Sequence, residues 1–157
     1  MLPDFEELVR QHGARIRRIA RRYAAAGQVD DLLQEILVRL WRSYPSFRGE
    51  ARIETWIYRV ALNTAMTYVR HSIRERETQA AIGARSASEP TIHATTSMGD
   101  VLASFLAALG DVEASMLMMY LDGLTAEEMS GVLGISANAV NVRINRLKQK
   151  FSDMHID

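Results

Sequence analysis

Apolar residues recur at spacings of three and four along most of this chain, and only 3 prolines and 9 glycines interrupt them in 157 residues. That is the period of an α-helix with one buried face, so the fold class is all-α. A first helix covers about residues 4–25, with Phe5, Leu8, Val9, Ile16, Ile19 and Tyr23 on one side. Arg15, Arg17, Arg18, Arg21 and Arg22 crowd its other sides, and Gly27 ends it. A second helix is expected to start at Asp30 as N-cap and to run through Leu33, Ile36, Leu37 and Leu40 to Trp41. Residues 43–49, with Pro45 and Gly49, read as a loop. A third helix follows over about 52–75, striped by Ile53, Trp56, Ile57, Val60, Ala61 and Tyr68.

Three such helices bury one small core, which makes residues 1–76 a first domain. Residues 77–99 change texture to Thr, Ser, Ala and Gly with Pro90, and read as a flexible linker. Residues 100–157 form a second helical domain. Its helices are expected at 100–109, from Asp111 to Gly123, at 126–133 and at 137–151. The cluster Met116, Met118 and Met119 suits core packing.

The formal charge is zero, 19 basic against 19 acidic side chains. It conceals an asymmetry: residues 1–85 carry 15 basic and 10 acidic groups, residues 86–157 carry 4 and 9. All four basic residues of the second part lie between Arg143 and Lys150, a local basic stripe of the kind that meets a polyanion. The absence of cysteine excludes disulfides, thiol nucleophiles and thiolate metal sites. No apolar run approaches the ~18–20 residues of a membrane span, and the acidic start MLPDFEEL lacks a signal-peptide core, so membrane insertion is not expected and the cytoplasm is the expected compartment. His12, His71, His93 and His155 are scattered without metal-ligand spacing, and no phosphate loop, paired carboxylates or nucleophile motif stands out. Neither an enzyme nor a metal or cofactor is expected.

Residues 125–151 have the grammar of a helix-turn-helix. Thr125 and Glu128 form a capping box, Ser130 is small where two helices cross, and Gly134 permits the turn. Ile135 plugs the core, Ser136 caps the next helix, and Val140, Ile144, Leu147 and Phe151 supply its buried side. The other side presents Ala137, Asn138, Asn141, Asn145 and Arg146. Asparagine pairs with adenine, arginine with guanine, and a small first-turn residue allows close approach to the major groove. The basic end of the helix then suits phosphates. In the first domain, aromatics between Trp41 and Tyr68 lie among arginines. Trp56 has core spacing, while Phe47 and Arg48 in the Pro/Gly loop suit contact with an unstacked base.

This arrangement resembles the extracytoplasmic-function sigma factors of bacterial RNA polymerase over nearly the whole chain outside the linker. Asp30-Asp-Leu-Leu-Gln-Glu35 with Arg39-Leu-Trp-Arg42 is similar to the family's polymerase-docking motif, which implies that role for Asp31, Gln34, Glu35, Arg39 and Trp41. Phe47-Arg-Gly49 and Thr55-Trp-Ile-Tyr-Arg-Val-Ala61 with Asn63 resemble the segment that reads and opens the minus-ten element. The corresponding contacts are Phe47, Arg48, Arg52, Arg59, Asn63 and Arg70. The helix-turn-helix resembles the region that reads the minus-thirty-five element, here through Ser136, Ala137, Asn138, Asn141, Arg143, Asn145, Arg146 and Lys148. Asn141-Val142 stands where the family commonly has Lys-Ser, which removes one charge. The resemblance implies core RNA polymerase and promoter DNA as partners, and control by an anti-sigma factor. A linker of 77–99 averages ~27 Å as a coil and reaches ~75 Å extended, so spanning the ~70 Å between elements two duplex turns apart requires extension. It is expected to be disordered alone and extended on polymerase. Two other readings stand beside this one: a free-standing dimeric helix-turn-helix regulator, and an adaptor whose helical corner is purely structural.

Overall fold

The computed structural model describes residues 2–80 and 97–154. Its elements are α1 (Phe5–Tyr23), α2 (Val29–Ser43), a 3-10 turn (Tyr44–Ser46), α3 (Ile53–Ala80), α4 (Met98–Ala108), α5 (Asp111–Leu121), α6 (Ala126–Leu133) and α7 (Ala137–Met154). No strand occurs among the described residues.

α1 begins where Asp4 accepts from the Glu7 backbone N–H at 2.8 Å, satisfying one of the orphan donors of the first turn. Its buried Leu8, Ile16, Ile19 and Ala20 meet Leu32, Ile36 and Leu40 of α2 and Ile57, Ala61 and Ala65 of α3. Trp56 is buried, as its spacing required. Its ring closes an aromatic cluster with Tyr44 at 5.9 Å and Phe47 at 5.1 Å. The second core gathers Phe105, Met116, Met119, Leu124, Met129, Val140, Ile144 and Leu147, and Phe151 meets Phe105 edge-on at 5.1 Å. Met116, Met118 and Met119 are all buried there.

Three expectations need correction. α2 starts at Val29 after Gln28, whose side chain makes no cap hydrogen bond, and Asp30 lies inside the first turn with Asp31. In that place both carboxylates face the positive end of the helix dipole. The loop at 43–49 contains the 3-10 turn, with Pro45 in it and the Ser46 hydroxyl donating to the Ser43 carbonyl. The linker is shorter than 77–99: α3 continues to Ala80, and α4 starts at Met98 under a cap from Ser97, which accepts from the Asp100 N–H at 3.1 Å. Residues 70–80 contain neither Gly nor Pro and are rich in Arg, Glu and Gln, so nothing in them ends a helix. The expected disorder and extension of the linker concern 81–96, which lie outside the described residues.

The two halves are packed against each other, α3 on α6 above all. This closed arrangement is held by polar contacts over large sequence separations. Arg22 Nη2 donates to the Leu109 carbonyl at 2.6 Å and Tyr23 Oη to the Asp111 carbonyl at 2.9 Å. The Tyr23 hydroxyl also meets the buried Ser115 hydroxyl.

Candidate functional site

The helix-turn-helix is built as its sequence required. Thr125 accepts from the Glu128 N–H at 3.1 Å while Glu128 accepts from the Thr125 N–H at 2.9 Å, a complete capping box. Gly134 takes φ +73°, a left-handed conformation that a Cβ would strain. Ser136 accepts from the Ala139 N–H at 3.1 Å and starts α7. Ser130 does more than leave room, since its hydroxyl donates to the Ile135 carbonyl at 2.5 Å and ties the turn to α6.

On α7, Val140, Ile144 and Leu147 are buried. Ser136, Asn138, Asn141, Arg143, Asn145, Arg146 and Lys148 are exposed, and Ala137 is half-buried. At 100° per residue, Asn138, Asn141, Asn145 and Lys148 fall within about 80° of one another, a single amide-and-cation stripe. Asn138, Asn141, Arg143, Asn145 and Arg146 make no hydrogen bond or ion pair among the described residues. Lys148 lies over the Tyr120 ring, 4.7 Å from its centroid.

The minus-ten candidates form a second stripe. Arg52, Arg59, Asn63 and Arg70 are spaced seven, four and seven residues apart, so they line one side of α3 over about 27 Å. All four are exposed, as is Arg48, whereas Phe47 is half-buried in its stack against Trp56 and Tyr44.

Exposed Asp31, Gln34, Glu35 and Arg39 line a groove of about 800 Å³ between α2 and α3, closed on the far side by Tyr68, His71 and Glu75. The Tyr68 hydroxyl donates to Gln28 Oε1 at 2.6 Å across one end of it. Trp41, 61% exposed, stands about two turns beyond Gln34 along α2.

Sequence reasoning missed the residues that couple the two halves. Glu128, besides capping α6, accepts two bonds from Arg52, at 2.7 and 3.1 Å, and one from the buried Thr55 hydroxyl at 2.7 Å. The Arg52 hydrogen bond is the main reason its carboxyl is held down at about 2. Arg59 reaches the same helix, its Nη2 lying 3.4 Å from where a Cβ on Gly131 would sit. Asp122 accepts from Arg15 Nε at 2.7 Å, Tyr58 Oη at 2.5 Å and Arg18 Nη2 at 3.2 Å. Burial alone would raise the Asp122 carboxyl. The bonds from Tyr58 and Arg15 and the charges of Arg15 and Arg18 outweigh it, and the net direction is down. The Tyr58 hydroxyl is pushed up, first by burial and then by its bond to Asp122.

His12 is also more than a scattered polar residue. It is buried, and its Nδ1 accepts from Arg15 Nη1 at 2.5 Å. Burial first, then the Arg15 charge, lower its pKa, which keeps the ring a neutral acceptor. No group of three or more His, Cys, Asp or Glu able to hold a metal occurs among the described residues. Nor is any described helix long and apolar enough to cross a membrane.

Comparison with known proteins follows this division. Residues 8–75 match the family model of sigma-70 region 2, and residues 100–151 that of sigma-70 region 4. The chain is 29% identical over 159 residues to the ECF RNA polymerase sigma factor SigE of Mycolicibacterium smegmatis, an alignment covering 97% of this chain and 62% of that protein. It is 27% identical over 158 residues to the ECF RNA polymerase sigma-E factor of Escherichia coli, covering 92% and 83%. Among solved structures, the Bartonella quintana sigma factor RpoE, in complex with the anti-sigma factor NepR, superposes with a TM-score of 0.76 at 17% identity over 97% of this chain and 96% of that one. CnrH, in complex with the cytosolic domain of CnrY, superposes with a TM-score of 0.64 at 25% identity, over 96% and 86%.

Proposed function

The chain belongs to the extracytoplasmic-function sigma factors, and from that premise we propose that it joins core RNA polymerase, carries it to promoter DNA and starts transcription there. One observation carries the reading: the two sigma-70 regions each present an exposed polar helix face with unused hydrogen-bonding groups. On α2 it is the acid-and-amide groove of Asp31, Gln34 and Glu35, flanked by Arg39 and Trp41. On α7 it is the asparagine stripe.

The roles follow from the chemistry of each face. The α2 face docks on the polymerase, with Trp41 as an aromatic anchor and the carboxylates pairing with basic groups. The first turn of α7 enters the major groove, where Asn138 and Asn141 read base edges and Arg143, Arg146 and Lys148 hold phosphates. The α3 stripe follows the minus-ten strand, and the loop at Phe47 and Arg48 receives an unstacked base. Melting costs ~1–2 kcal/mol per base step in lost stacking, so pockets and cations on the opened strand are needed to sustain it. The protein works as a soluble cytoplasmic factor and not as an enzyme. Of the similar solved structures, RpoE is bound to the anti-sigma factor NepR and CnrH to the cytosolic domain of CnrY, which supports anti-sigma control here.

In the closed arrangement α6 covers one end of the α3 stripe, since Arg52 is held by Glu128. Use of the whole stripe on DNA therefore requires the halves to separate. A free-standing dimeric regulator would have no use for the α2 groove, and the match to region 2 disfavours it. The test is run-off transcription by core polymerase on a promoter pool. The parent chain should direct initiation at defined sites, and Asn141→Ala/Arg146→Ala should lose them. Initiation that is independent of the added chain would refute the proposal.

A further inference from the structure

One side chain of α7 is explained neither by the core nor by the amide-and-cation stripe. Val142 is 41% exposed. At 100° per residue it lies about 165° from the mean direction of buried Val140, Ile144 and Leu147, so packing does not call for an apolar residue there. Nor does helix formation, because valine loses χ1 freedom in a helix and alanine, lysine or glutamine would favour it more. The position is particular in another way. Asn138, Val142 and Arg146 form a row at intervals of four residues, about 6 Å apart along the axis, and Asn145 adjoins it on the next turn. These three polar neighbours are exposed and make no hydrogen bond or ion pair among the described residues. Met154, the other exposed large apolar residue of α7, is about 18 Å further along. Val142 is thus a single apolar point inside a polar face.

We propose that Val142 is a specificity-determining residue that reads the C5 methyl group of a thymine. The inference rests on the sigma-factor reading, which lays this side of α7 in the major groove, and it deepens that reading by naming a base. The base edges in that groove offer donors and acceptors, which suit Asn138, Asn145 and Arg146, and one apolar group, the thymine methyl. An apolar side chain ringed by amides and a guanidinium matches that mixture one group at a time. A protein partner would need a contiguous apolar patch, which a lone valine does not make. Phosphates gain nothing from an aliphatic contact. Valine also discriminates where a polar residue would not. A serine here would hydrogen-bond to several bases, whereas valine gains only from the methyl and so separates thymine from cytosine at one position. Its branched Cβ holds both methyl groups close to the helix, so little rotamer freedom is lost on contact.

The test removes the methyl and nothing else. A duplex is first selected from a random pool by the full chain in complex with core polymerase. Each thymine of the selected duplex is then replaced singly by deoxyuridine, which differs only in lacking the C5 methyl, and binding is measured by fluorescence anisotropy. At one position the replacement should weaken binding by the parent about fourfold, the worth of burying one methyl group. Val142→Ala should bind the thymine duplex about fourfold more weakly and show no further loss with deoxyuridine there, while Val142→Ile keeps the sensitivity. Circular dichroism of both variants should match the parent, since the position is exposed. Indifference of the parent to deoxyuridine at every thymine would overturn the proposal. So would a deoxyuridine effect that persists undiminished in Val142→Ala, or a Val142→Ala chain that loses co-elution with core polymerase in the absence of DNA, because the valine would then be a protein contact. A parent that selects no duplex would overturn both this proposal and the sigma-factor reading; a selected duplex insensitive to deoxyuridine would overturn this proposal alone.

Discussion

Asp122 is the point at which the closed arrangement is most exposed to a single substitution. Asp122→Asn keeps the size and one carbonyl acceptor but removes the charge that three donors share. The Arg15 bond, 2.7 Å between side chains 18% and 15% exposed, is charge-assisted and worth ~1.5–3 kcal/mol. The half-exposed Arg18 pair at 3.2 Å adds ~0.2–1 kcal/mol. Tyr58 can still donate to the new amide oxygen, so its loss is small. The closed form should therefore lose about 2–3 kcal/mol relative to the open one, a fall of roughly 30- to 150-fold in the closed-to-open ratio. The chain has no native cysteine, so Ala14→Cys and Ser104→Cys give one defined dye pair across the two halves. Single-molecule energy transfer should show a high-transfer population in the parent that shifts to low transfer in Asp122→Asn. Arg10→Ala, which breaks only the Arg10–Glu7 pair within α1, should leave it in place. An unchanged distribution in Asp122→Asn, or an equal change in the control, would refute the reasoning.

The same contacts set a pH dependence. The Glu128 carboxyl lies at about 2 in the closed form against a usual 4.5, so its contribution is complete above about pH 4.5 and disappears as pH falls toward 2. Asp122 and His12 are also shifted down, and act in the same direction on acidification. Energy transfer in the same dye pair should hold constant above about pH 6.5, begin to fall below it as His12 takes up a proton, and fall further below about pH 4.5; a drop on the alkaline side would contradict this sign. Trp56→Ala removes the centre of the aromatic cluster and should cost ~3–5 kcal/mol of stability, read by urea denaturation. Arg146→Ala should weaken duplex binding about equally for all sequences and reduce the slope of log K against log salt by about 1, whereas Asn141→Ala should weaken binding only to the preferred sequence.

What was legible in the sequence was local. The Thr125–Glu128 box, the Gly134 turn, the Ser136 cap and the buried Val140, Ile144 and Leu147 all follow from residues within a few positions of one another. The exposure of Asp31, Gln34 and Glu35 follows from the period of α2. The packing of one half on the other depends on pairs with no local signal: Arg15 and Asp122 are 107 residues apart, and Arg52 and Glu128 are 76 apart. The charge asymmetry between the halves was the available clue. Part of it neutralises across the internal boundary, at Asp122 and Glu128, rather than on a polyanion. Helix ends were misjudged for a related reason. Asp30 is a good N-cap by type, yet Val29 already belongs to α2, and α3 runs on to Ala80 because no residue stops it.

The central claim, that this chain is the promoter-recognising subunit of a polymerase, is tested most directly by co-elution with bacterial core RNA polymerase, beside the variant Gln34→Ala/Glu35→Arg. The account predicts that the parent co-elutes and the variant does not, while the variant keeps its helical circular dichroism. A parent chain that elutes apart from the core enzyme would contradict it.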